Sequence, residues 1–162
     1  MRWSVLSPLC LALLTACASV APPDALLGAS AAQVEAQMGP PESRRPIDGG
    51  MRLEYPGGPY GKQTWFVDLD ASGKVVRTQQ VLTEASFTQI VPGMGEQEVR
   101  QRLGRPGEVR VLGRERGVVW SYRYQNPFCL WFQVEIAADR TVRSAGYGEP
   151  PECGRREIII IP

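Results

Sequence analysis

A repeat with a nearly constant spacing constrains this chain more than any other feature. Leu27-Gly28 is followed by Val34 and then by Met38-Gly39-Pro40-Pro41. Pro92-Gly93 is followed by Val99 and then by Leu103-Gly104-Arg105-Pro106, with equivalent positions 65 residues apart. Self-similarity at a fixed period means that one supersecondary unit is built twice. Further along, Leu53 and Tyr55 match Trp120 and Tyr122. Trp65, Val67 and Leu69 match Phe132, Val134 and Ile136. The offset is now 67, so the second copy carries two extra residues in between.

Each copy spells a short helix followed by strands. In the first, Ser30 and Gln33 have the spacing of a capping box. Val34 and Met38 share a helix face, Gly39 offers a stop and Pro40 forbids continuation. In the second, Gly95 takes the Ser30 position and Glu98 that of Gln33. Val99 and Leu103 repeat the apolar face, and Gly104 repeats the stop. Period-two alternation along Trp65–Leu69 and Phe132–Ile136 predicts half-buried strands, and Val75 and Val142 open a third strand in each copy. The expectation is an α+β fold of two tandem modules, each a short helical part packed on a three-stranded antiparallel sheet. The first module spans 26–83, the second 84–148, and a tail covers 149–162. Asp68-Leu69-Asp70-Ala71-Ser72-Gly73 resembles the start of a calcium loop. Its twelfth position, however, is Gln79 and its flanks read as strands, so a plain hairpin turn is expected.

The N-terminus reads as an export signal. Arg2 supplies a positive charge and an apolar stretch runs from Val5 to Leu14, too short to span a bilayer. Leu14-Thr15-Ala16-Cys17 resembles the bacterial lipobox, which implies cleavage after residue 16 and lipid on the Cys17 thiol. Several acyl chains anchor stably where one does not. Residues 17–25 become a lipidated tether containing Pro22-Pro23. Ala18, not Asp, follows the cysteine, which by the same resemblance implies the outer membrane, on its periplasmic face.

Charge and cysteine content narrow the classes further. With 18 basic and 17 acidic residues, nothing argues for nucleic acid. Of four cysteines, Cys10 leaves with the signal and Cys17 takes lipid. The pair Cys129 and Cys153 in an exported chain reads as a disulfide, two free thiols being the alternative. No metal-type spacing occurs, no cofactor fingerprint or nucleophile elbow is present, and there is no histidine. A non-enzymatic role is expected, without metal or cofactor.

Ile90-Val91-Pro92-Gly93-Met94, Val99, Leu103-Gly104-Arg105-Pro106 and Val119-Trp120-Ser121-Tyr122 together resemble the SmpA/OmlA domain of BamE-like outer-membrane lipoproteins. Gly95 stands where that pattern usually has threonine. The first copy is more degenerate, and the resemblance covers roughly residues 25–148. A BamE-like protein has one copy, whereas β-lactamase inhibitory proteins of the same fold have two. The resemblance implies a lipoprotein that binds an envelope protein partner, such as the β-barrel assembly machine, in barrel assembly or envelope maintenance. The alternative it implies is an inhibitor or ligand-binding module using the tandem sheet face as a groove.

Candidate partner-binding residues follow from strand register. If Trp65, Val67 and Leu69 face the helices, Phe66 faces the other way. By the same register Trp131 faces outward beside Arg123 and Gln133. Outward aromatics with arginine are typical interface anchors. A contact between the two sheets, or cover from the Ile158–Ile161 tail, would account for them equally.

Overall fold

The computed structural model describes residues 26–113, 117–150 and 153. The chain runs α1 (Ala31–Met38), β1 (Ser43–Ile47), β2 (Gly50–Gly57), β3 (Gln63–Asp70), β4 (Val75–Gln80), α2 (Glu84–Phe87), α3 (Glu96–Leu103), β5 (Glu108–Leu112), β6 (Gly117–Arg123), β7 (Trp131–Ile136) and β8 (Val142–Gly148). Two antiparallel sheets result, with strand orders β1-β2-β3-β4 and β5-β6-β7-β8.

This corrects the expected fold class. The protein is mostly sheet, with four strands per module instead of three, and its helices are short. The strand missing from the expectation follows each helix stop. In the first copy it reads Ser-Arg-Arg-Pro-Ile, and a proline among arginines gives no apolar alternation to detect. It lies at the sheet edge, where proline and charge are tolerated. Its counterpart β5 carries Val109 and Val111, both exposed, so its alternation marks no buried face.

The repeat extends to the main-chain hydrogen bonds. Gly28 donates to the Val75 carbonyl and Gly93 to that of Val142, both at 2.8 Å. The stop residues Gly39 and Gly104 donate to the Glu35 and Arg100 carbonyls, both at 2.9 Å. Each sheet has a register shift at the same place, Asp68/Leu69 and Glu135/Ile136. The two added residues fall in one hairpin. Ile47 pairs with Gly50 across Asp48-Gly49, whereas Leu112 pairs with Gly117. All ladder residues before that turn are offset by 65 and all after it by 67.

The caps follow their chemistry. Ser30 accepts from the Gln33 amide and the Gln33 side chain accepts from Ser30 N–H at 2.8 Å, completing the capping box. Gly95 has no side chain and makes no such bond, but Glu96 and Glu98 in the first turn complement the helix dipole.

Helix α1 buries Val34 and Met38 against Leu53, Tyr55, Val67 and Leu69, with Leu26 and Val75 closing this first core. Helix α3 does the same with Val99 and Leu103 against Trp120, Tyr122, Val134 and Ile136. The second core is larger, because Val81, Leu82, Phe87 and Phe66 join it. Phe87 stacks on Phe132 with ring centroids 4.2 Å apart.

Candidate functional site

Strand register assigns each sheet two faces. In the first sheet Leu53 and Val67 pair under α1, so Arg52, Glu54, Phe66 and Asp68 form the reverse face. This reverse face is the seat of the second module. Phe66, expected to face outward as a partner anchor, is 2 % exposed and belongs to the second core. Alternation revealed which face it is on. It could not reveal that the second module covers that face.

The seat is polar as well as apolar. Arg52 donates to Asp68 through Nε at 2.6 Å and Nη2 at 2.8 Å, and through Nη1 to the Gln101 carbonyl at 3.1 Å. Its guanidinium also lies over the Phe66 ring, 4.4 Å from the centroid. One arginine thus joins the first sheet to the last turn of α3, where the helix dipole favours a cation. Glu54 accepts from Arg45 Nη2 at 2.8 Å and from Ser43 Oγ at 3.1 Å, and its other oxygen accepts the main-chain N–H of Arg105 at 2.7 Å. The Arg105 side chain pairs with Glu42. Tyr122 donates to the Gly104 carbonyl at 3.3 Å, and burial raises the pKa of its hydroxyl. Removing one member of such buried networks is costly, because the partner stays desolvated.

Neither Arg52 nor Glu54 was singled out from sequence as a site residue, and Asp68 was read only as the start of a calcium-like turn. The available signal was a charge at alternate strand positions, flanking Leu53 and between Val67 and Leu69. Alternating charge usually marks a solvated face, whereas here it marks a covered one.

The reverse face of the second sheet holds the equivalent positions. Helices α2 and α3 pack on Trp120, Tyr122, Phe132, Val134 and Ile136. The alternate residues pair as Val119 with Glu135, Ser121 with Gln133 and Arg123 with Trp131. Three of the expected partner-binding residues, Arg123, Trp131 and Gln133, therefore share one face, as read from the register. The expected exposure of Trp131 does not hold. It is 6 % exposed, and Arg123 lies over its ring at 4.6 Å. Arg123 and Gln133 are half-buried. Gly146 and Gly148 of β8 stand opposite Gln133 and Trp131; open space lies over Gly146, whereas the Gln133 side chain covers Gly148. Glu135 is held by Arg143 at 2.7 Å and Ser144 at 3.0 Å.

Cys129 and Cys153 form a disulfide, with Cα atoms 6.3 Å apart. It ties residue 153 beside the start of β7. The calcium-like segment is a hairpin turn, in which Asp70 Oδ1 accepts from Ser72 N–H, Ser72 Oγ and Lys74 N–H. Among the described residues no cluster of three metal-ligating side chains occurs and no helix is long and apolar enough to cross a membrane. Cys17, the signal segment, the tether and Ile158–Ile161 lie outside the described residues.

No family model matches the sequence, and no curated protein matches it either. Two solved structures share some of its shape. One is a DUF4309 family protein, YjgB, from Bacillus subtilis, 14% identical with a TM-score of 0.29, over 75% of this chain and 78% of that one. The other is an extracellular protein containing a SCP domain from Bacillus anthracis, 12% identical with a TM-score of 0.31, over 77% of this chain and 44% of that one. Scores this low carry no functional argument.

Proposed function

We propose that this chain is a non-enzymatic, lipid-anchored protein of the bacterial outer membrane, facing the periplasm and akin to the SmpA/OmlA (BamE-like) lipoproteins. It docks an envelope protein on the reverse face of its second sheet. The observation that carries this is the head-to-tail arrangement of the modules. The reverse face of the first sheet already seats a protein element, the end of α3, through Arg52, Glu54 and Phe66. Such a heterologous contact does not close on itself, so the repeat leaves an equivalent face on the last module. That face offers an arginine stacked on a tryptophan and a half-buried amide, the chemistry of interface rims and anchors. The lipobox at Cys17 would hold it beside the membrane and raise the local concentration of a membrane-bound partner.

Photo-crosslinking in intact cells tests the docking face. A benzoylphenylalanine at position 133 should give an adduct with an envelope protein, such as a component of the β-barrel assembly machine. The same group at exposed Val76 should not. Identical adducts at both positions, or crosslinks within this chain alone, would overturn the reading. Labelled palmitate should enter the wild-type protein and not Cys17→Ser; equal labelling would remove the anchor.

A further inference from the structure

The head-to-tail stacking brings together two connections that the repeat makes equivalent. The link between β2 and β3 supplies Tyr60 and Lys62. The link between β6 and β7 supplies Tyr124 and Leu130, next to Arg123 and Trp131. Between them lies a cleft of about 460 Å³, within the range of small-molecule sites. We propose that this cleft binds an amphipathic organic anion, with its apolar body between the aromatic walls and its acid group between Lys62 and Arg123.

Three observations support this. The walls are mainly aromatic and apolar, and two of them are deeply placed, Tyr124 at 4 % and Trp131 at 6 % exposure. Both charged side chains among the described lining residues are cationic, one from each module. Each cation also lies over an aromatic ring of the cleft, Arg123 over Trp131 at 4.6 Å and Lys62 over Tyr60 at 5.8 Å. Cations held on aromatic faces are kept beside apolar surface at low cost in hydration.

One wall is also pre-shaped. The Asn126 side chain donates to the Tyr124 and Leu130 carbonyls at 3.2 and 2.8 Å, and accepts from Phe128 and Leu130 N–H at 3.0 and 3.1 Å. Its amide is fully used inside the loop, and the disulfide fixes Cys129 within the same loop. A wall ordered before binding saves the ligand the entropy of ordering it. The opposite wall is different, since Tyr60 is 82 % exposed.

Calorimetry on the full chain in phosphatidylcholine nanodiscs, with protein-free nanodiscs as the blank, tests this site. The probes are 1-naphthoate, the neutral 1-naphthalenemethanol and laurate. Naphthoate should bind at least about tenfold more tightly than the alcohol, as expected for a charge-assisted contact. Lys62→Gln should weaken it by a similar factor. Tyr60→Ala should weaken both aromatic probes. Displacement of naphthoate by laurate would assign a lipid-like body to the natural ligand, and no displacement an aromatic one. Equal binding of acid and alcohol, affinity unchanged by Lys62→Gln, or no heat with any probe would overturn the proposal. Lys62 is half-exposed, so its replacement does not threaten the fold.

Discussion

The carboxylate of Glu54 accepts the main-chain N–H of Arg105 at 2.7 Å. The two residues are 51 positions apart and belong to different modules. A side chain in the first sheet therefore satisfies a backbone donor just beyond the end of α3. Glu54 is only 3 % exposed, so this bond forms in a desolvated setting. Glu54→Ala should cost about 3 kcal/mol, since it strands both the Arg105 amide and the Arg45 guanidinium. Glu54→Gln keeps an acceptor and should cost less. Urea unfolding of the two variants separates these outcomes.

Gly104 meets the same carboxylate. Its φ is 76° and ψ −160°, a region that glycine alone occupies readily. A Cβ there would come within 2.6 Å of Glu54 Oε1. Its repeat partner Gly39 has φ 80° and ψ −175°, with nothing within 4 Å of such a Cβ. Gly39→Ala should cost about 2 kcal/mol from backbone strain. Gly104→Ala should cost at least about 1 kcal/mol more, because it adds a collision. Thermal melts of the two variants give the difference directly.

Two buried tyrosines should respond in opposite directions. Tyr55 Oη finds no hydrogen-bond partner among the described residues, and burial, with a smaller contribution from Glu35, pushes its pKa up to about 12. Tyr55→Phe removes an unsatisfied hydroxyl and should raise stability by about 1 kcal/mol. Tyr122 donates to the Gly104 carbonyl, so Tyr122→Phe should lower stability by about 1 kcal/mol. Denaturant midpoints report both signs.

The turns should contribute to acid sensitivity. The pKa of Asp70 is lowered by the Lys74 N–H and by Ser72, and that of Asp139 by the Thr141 hydroxyl and N–H. A carboxylate depressed in the folded state stabilises above its ordinary value, and that contribution is lost as pH falls through the folded one. Below pH 3.8, the ordinary aspartate value, stability should therefore fall more steeply in the wild type than in Asp70→Asn/Asp139→Asn. Parallel acid limbs in melting temperature would count against this.

Reduction should loosen the end of the second module. The Cys129–Cys153 bridge spans a sequence separation of 24. Closing a loop of that size is worth roughly 3 kcal/mol in the chain-entropy model. Cys129→Ser/Cys153→Ser should melt lower in oxidising buffer, and reductant should bring the wild type to the same value.

Local chemistry made much of this fold legible. The capping box at Ser30, the glycine stops, the inner strand pairs and the cysteine pair all act within a few residues or within one repeat. The first strand of each sheet was not legible, because Arg44, Arg45 and Pro46 mark no apolar face and Val109 and Val111 are both exposed. Nor was the role of Phe66. Strand period assigns a residue to a face, but the covering element comes from a segment far along the chain. The same limit applied to Trp131, whose register was right and whose exposure was not.

The extra pair of residues in the Leu112–Gly117 turn has a practical meaning. Between the two copies this connection differs in length by two residues, while the strand pairs that flank it keep the same register. It is where the molecule tolerates added sequence. An epitope or fluorescent reporter spliced between Gly113 and Gly117 should leave both sheets in register, giving a visible handle on the protein far in sequence from Cys17.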